Sequence, residues 1–163
     1  ALPILTATML YRVQQSPSFQ DSSEIAAVSE IEALNWIRMN LPTDAIIATN
    51  RTLCRDASSC NIDESRFLIS AFGQRRVLLE GPRFVVGGRP YPTWVQDRIK
   101  VSLDFVDAPS KRTAERLKDF GVDWYYILKS QTRSNFSKNT FTGFGTILFE
   151  NQDVLIIELE SKA

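Results

Sequence analysis

Apolar residues recur every three or four positions from Ile25 through Val28, Ile31, Leu34 and Ile37 to Leu41, a single stripe along an amphipathic helix. Asp21, with Glu24 three positions on, makes a capping-box start in which Asp replaces the usual Ser or Thr. Pro42 ends the helix, because the residue before a proline is pushed out of the α region. After the Thr43-Asp44 turn, residues 45–49 form a short apolar run that stops at polar Asn50. A helix therefore feeds a buried strand, the repeating unit of a layered α/β domain.

The pattern recurs along the chain. Asp63 caps a short helix that runs through Phe72, with Gly73 at the left-handed closing position, and residues 76–80 form a second strand. Pro92 or Thr93 opens a helix to about Val106, stopped by Pro109. Ser110 opens another, with Ala114, Leu117 and Phe120 inward and Gly121 at its end. Residues 123–128 make the third strand. Residues 146–149 and 154–159 flank Glu150-Asn151-Gln152-Asp153, a hairpin turn.

Three strand–helix alternations predict an α/β fold: a three-layer sandwich with a mostly parallel, Rossmann-like sheet and a C-terminal antiparallel hairpin. Residues 1–163 read as one domain. Residues 1–20, an apolar stretch and a polar loop, form an N-terminal element whose type the pattern leaves open.

Composition narrows the function classes. The 19 Lys and Arg balance 19 Asp and Glu, which gives none of the basic excess that a phosphate-tracking protein carries, so nucleic acid is not expected as a partner. There is no histidine. That removes the usual general base near neutral pH, the Ser-His and Cys-His pairs and the commonest metal ligand. No metal or cofactor is expected. No run reaches the roughly 20 apolar residues of a membrane helix, and the start lacks the basic leader of a signal peptide. The first residue is Ala, not Met, as expected for a piece of a longer protein.

Cys54 and Cys60 lie in a polar loop with five residues between them. Without His or a third Cys they do not complete a metal site, and a redox pair uses a tighter spacing. A disulfide fits them best; it would pin the loop by about 2 kcal/mol and belongs to an oxidising compartment.

The candidate ligand site lies in the loop after the second strand, since ligands lodge at the carboxyl ends of strands in open α/β sheets. Arg83 and Arg89 can fork onto a carboxylate or phosphate, and Tyr91 and Trp94 offer flat faces of the kind that stack on sugars. Asn50, Glu80 and Lys129 end the three strands and should open on one rim; with Asp97 and Arg98 they could line a polar cleft. Glu80 with Asp97 is also a conceivable carboxylate pair for hydrolysis. The plain alternative makes these residues caps and salt bridges. Trp36 and Trp124, inside a helix and a strand, read as packing residues.

Residues 30–50 (EIEALNWIRMNLPTDAIIATN), 66–82 (RFLISAFGQRRVLLEGP) and 117–128 (LKDFGVDWYYIL) resemble a known arrangement. It is that of the extracytoplasmic C-terminal domain of polytopic bacterial membrane proteins of the type C glycosyltransferase kind, the actinobacterial, cell-envelope members above all. Trp36-Ile37, Asn40-Leu41-Pro42 and residues 44–49 carry the resemblance, which spans about residues 24–160. It implies a non-catalytic domain on the outer face of the cell membrane. Its expected partners are a glycan or polyprenyl-linked sugar and the membrane part of the same polypeptide, which would hold the catalytic carboxylate. A secreted carboxylate-dependent hydrolase and a protein-interaction scaffold docking through residues 1–13 are the alternatives.

Overall fold

The computed structural model describes residues 26–51, 53, 66–83, 90–132 and 136–160. The N-terminal element, the Asp21 and Asp63 caps, Arg89 and the Cys54–Cys60 loop lie outside the described residues. The elements are α1 (Val28–Asn40), β1 (Ile46–Thr49), α2 (Leu68–Gly73), β2 (Arg76–Val77), α3 (Thr93–Asp107), α4 (Lys111–Asp119), β3 (Trp124–Leu128), β4 (Gly145–Glu150) and β5 (Val154–Leu159).

The strands form one five-stranded mixed sheet in the order β2-β1-β3-β5-β4. β1 runs parallel to both β2 and β3, whereas β5 is antiparallel to β3 and β4. The parallel half and the C-terminal hairpin are thus both present, and the hairpin docks through β5. Its turn is held by Asn151, whose Oδ1 accepts the N–H groups of Asp153 and Val154.

Alternate side chains of the central strands enter two separate cores. Tyr125, Ile127, Leu155 and Ile157 pack with Val95, Ile99, Phe105 and Leu117 of α3 and α4. Tyr126, Leu128, Val154 and Ile156 pack with Leu34, Ile37, Leu68 and Ile69 of α1 and α2. Burial on both faces is why β3 and β5 read as continuous apolar runs rather than alternating ones. Each such Leu or Ile contributes roughly 1.5–3 kcal/mol by leaving water.

Helix ends depart from the sequence expectations in informative ways. Ala27 is extended (φ −63°, ψ 154°), so α1 begins at Val28, which is 89% exposed and drops out of the expected stripe. Glu30 takes an inward place beside Ala33, Leu34 and Ile37. The left-handed residue after α2 is Gln74 (φ 53°), not Gly73. Gly73 is small for a different reason: a Cβ there would lie 3.1 Å from Ile37 Cγ2, where α2 presses on α1. Arg75 donates to the carbonyls of Arg38, Leu41 and Gln74, tying both helix ends together with a cation. β2 pairs only at Arg76 and Val77, short of the expected 76–80, although the Leu78 N–H still reaches Ile47 O at 2.9 Å. Ser110 caps α4 by accepting from the Thr113 N–H, and Gly121 (φ 76°) closes it, both as expected.

Gly145 begins β4 where only a hydrogen fits, since a Cβ would sit 2.2 Å from the Glu158 carbonyl oxygen and 2.8 Å from Ile157 Cγ2. Gly145→Ala should therefore destabilise the protein by about 1–3 kcal/mol in urea unfolding. Gly143→Ala, which meets nothing within 4 Å, should stay within about 0.5 kcal/mol of the parent protein.

Candidate functional site

From β1 the chain crosses to β2 on one side, and from β2 it returns to β3 on the other. The strand order therefore reverses between β1 and β3, and a doubly wound sheet places its crevice at the carboxyl ends of such a pair. Asn50, Glu80 and Lys129 follow the three parallel strands and lie on this common rim, as their spacing implied.

The crevice is closed by the protein's own groups. Asn50, fully buried, donates through Nδ2 to the Leu128 carbonyl (3.0 Å) and accepts the Leu128 N–H through Oδ1 (2.8 Å). A side-chain amide thus supplies one more rung where the β1–β3 ladder ends. Thr49 Oγ1 accepts the Arg51 N–H at 2.9 Å and turns the chain back over the rim.

That turn buries Arg51 against Glu30, which sits in the first turn of α1. Arg51 Nε lies 2.5 Å from Glu30 Oε1, and the two side chains are 7% and 9% exposed. The same Oε1 accepts from Tyr126 Oη at 3.5 Å, and Oε2 accepts the Ala27 N–H at 3.3 Å. Arg51 Nη1 is buried with no hydrogen-bond partner. Burial, followed by the Glu30 charge, pushes the Tyr126 hydroxyl well above the ordinary tyrosine range. Beside this cluster the β4–β5 turn clasps α1. Ser29 Oγ donates to Asp153, and Asn151 Nδ2 donates to the Ser29 carbonyl and to Glu32.

Glu80 is likewise engaged. Its Oε1 accepts the Ile69 N–H at 2.7 Å, while Oε2 accepts the Ser70 N–H at 3.0 Å and the Ser70 hydroxyl at 2.7 Å, capping α2. Gly81 follows with φ +59°; a Cβ there would strike the Phe67 ring at 2.4 Å. Lys129 bridges to Glu150 and to the Asn151 carbonyl. Lys138 first, and Lys129 with it, holds the Glu150 carboxyl below its usual range.

Of the remaining expected site residues, Tyr91, Trp94, Asp97 and Arg98 lie at the start of α3 or just before it. Trp94 is 47% exposed, with the Arg98 guanidinium 5.1 Å from its ring centroid. Such a pair contributes ~0.5–1 kcal/mol in an exposed setting. Arg98 Nη1 also reaches the Leu78 carbonyl at 3.3 Å, which places the pair beside the end of β2. Tyr91 is half-buried against the core, and Gln96 donates to its carbonyl. Asp97 and Arg83 are exposed. The structure thus brings Trp94 and Arg98 together, and engages Asn50 and Glu80 in internal bonds. Arg89, Cys54 and Cys60 are outside the described residues.

Sequence reasoning missed Glu30, Arg51 and Tyr126. One signal was available: Glu30, Ala33, Leu34, Ile37 and Leu41 fall at i, i+3, i+4, i+7 and i+11, which puts a carboxylate in register with an apolar face. Among the described residues no three His, Cys, Asp or Glu side chains are placed to hold a metal ion, and no helix is long and apolar enough to cross a membrane.

No family model and no curated protein matches this sequence. Among solved structures, the chain is similar to the C-terminal globular domain of an oligosaccharyltransferase from Archaeoglobus fulgidus. The TM-score is 0.51 at 15% identity, over 83% of this chain and 99% of that one. At this identity the likeness is one of fold.

Two predictions concern the buried cluster. Glu30→Gln leaves a buried guanidinium without its counter-charge, so it should cost about 3–5 kcal/mol. Glu30→Leu combined with Arg51→Met should recover most of that loss in a double-mutant cycle read by urea unfolding. The folded pKa of Tyr126 lies above the unfolded value near 10, so its contribution to stability is complete below that pH. The contribution is lost as pH rises past 10 toward the folded value. Stability measured across that alkaline range should fall less steeply in Tyr126→Phe than in the parent protein.

Proposed function

We propose that this chain is a single, non-catalytic, extracytoplasmic domain of a membrane glycosyltransferase-like protein, and that it helps to hold a glycan or polyprenyl-linked acceptor. The observation that carries this reading is the fold likeness, which takes in 99% of the archaeal oligosaccharyltransferase domain. The two cores on opposite faces of the sheet support a three-layer arrangement. An outer-face location in a cell-envelope system, with the membrane part of the same polypeptide as partner, rests on the sequence resemblance and on the expected Cys54–Cys60 disulfide.

The contact surface we assign is the exposed start of α3 and the loop before it. An indole with a guanidinium against it offers both an apolar face for a sugar ring and a donor for its oxygens. Arg83, Tyr91 and Asp97 extend the assignment, and the sequence adds Arg89, which lies outside the described residues. Asn50 and Glu80 act on it indirectly, by fixing the rim from which it projects. The hydrolase reading gains nothing from the geometry, since both Glu80 oxygens are engaged in capping α2.

Trp94→Ala should weaken binding of envelope polysaccharide fragments about tenfold in calorimetric titration. It should change unfolding stability by no more than about 1 kcal/mol, the scale of the lost pairing with Arg98. An unchanged titration would count against the assignment.

A further inference from the structure

The opposite rim of the sheet, where β3 begins and β5 ends, carries a groove of about 300 Å³ lined by Lys118, Asp123, Trp124, Thr146, Glu158 and Glu160. Its floor is one cross-strand row: Trp124 pairs in register with Glu158, and Glu158 with Thr146. On the same face of the sheet Tyr126, Leu128, Val154 and Ile156 are covered by α1 and α2. The row is what those helices leave open. Glu158 is the single exposed position of β5, in a strand otherwise buried from end to end.

The groove has the parts of a ligand site. Trp124 is partly buried, packed at the margin of the α1/α2 core, so its ring is already fixed and loses little freedom when a ligand stacks on it. Lys118 Nζ and Asp123 Oδ1, 2.9 Å apart, are both on its wall, and the lysine is only 15% exposed. Glu158 and Glu160 enter no ion pair among the described residues. The lining therefore carries two uncompensated carboxylates, one compensated pair, a hydroxyl and an aromatic face. Carboxylates accept from hydroxyl groups and repel acidic ligands, and an indole covers the C–H face of a sugar ring. The volume is at the lower end of the roughly 300–1,000 Å³ of small-molecule sites, enough for one ring and too little for an extended chain.

We propose that this groove binds a single uncharged pyranose ring, with Trp124 under its apolar face, Glu158 and Glu160 accepting from its hydroxyls and the Thr146 hydroxyl exchanging a hydrogen bond with one of them. The site is separate from the Trp94–Arg98 surface and has the opposite charge preference. It goes beyond the reading above and does not depend on it.

The three tryptophans give three indole N–H signals in an ¹⁵N correlation spectrum, assignable by single Trp→Phe changes. We expect the Trp124 signal to move saturably when the intact chain is titrated with methyl α-mannopyranoside or methyl β-galactopyranoside, while the Trp94 signal stays in place. Glucuronate should bind more weakly than either. Glu158→Ala should weaken the neutral sugars about tenfold without moving the urea midpoint, as loss of a charge-assisted hydrogen bond requires. Thr146→Val should act in the same direction, to a smaller degree. A Trp124 signal that stays still with both sugars, or that follows glucuronate as strongly, would overturn the proposal. So would unchanged affinity in a folded Glu158→Ala protein. Because the Trp94 signal reports the other surface, failure of one assignment is visible apart from failure of the other.

Discussion

Tyr125, Tyr126, Ile127, Leu155, Ile156 and Ile157 have no solvent exposure, and they belong to two adjacent strands whose side chains point both ways. A sheet with two apolar faces must be covered twice. α1 and α2 cover one face, and α3 and α4 cover the other, each as a satellite of the same central pair. α1 leads into β1, the first crossover supplies α2 and the second supplies α3 and α4, so the parallel half of the sheet needs long connections. The small side chains at Gly73 and Gly145 follow from the same demand, one where α2 meets α1 and one where β4 meets β5.

Covering both faces leaves the strand ends as the place where polar groups meet low-dielectric surroundings. At the carboxyl rim the protein answers with internal partners. Asn50 pairs with Leu128, Glu30 with Arg51, and Glu80 with the first N–H groups of α2. A buried ion pair of this kind adds little net stability, because desolvation offsets most of the attraction. It anchors the first turn of α1, the turn that Asn151 also grips through the Ser29 carbonyl. The switch point between β1 and β3 is thereby a keystone of the fold. The exposed indole of Trp94, with Arg98 against it, lies farther out, at the start of α3.

The fold was largely legible because its elements are marked by residues with one physical meaning. Pro42, Ser110, Gly121 and the Asn151 turn act locally, and the continuous apolar runs of β3 and β5 announce two-sided burial. The site was less legible, for the reverse reason. Whether Asn50 or Glu80 faces a ligand or its own backbone depends on partners 78 and 11 residues away. Periodicity carries no record of such pairings. Glu30 was not among the apolar stripe read from the sequence, and its partner Arg51 lies 21 residues away. Trp124 read as packing, which is half of its situation; the other half is that it lines the groove beside Glu158 and Thr146.

The two rims also differ in the charge they present. The carboxyl rim exposes Arg98 against Trp94, a cation on an aromatic face, whereas the amino rim exposes Glu158 and Glu160 beside Trp124. The chain has no net formal charge, so this polarity comes from placement and not from composition. An aromatic ring with a cation selects ligands rich in acceptors, and one with carboxylates selects ligands rich in donors. On the reading proposed above, a glycan bearing phosphate or carboxylate at one point and plain hydroxyls at another would find the two ends of the domain unlike.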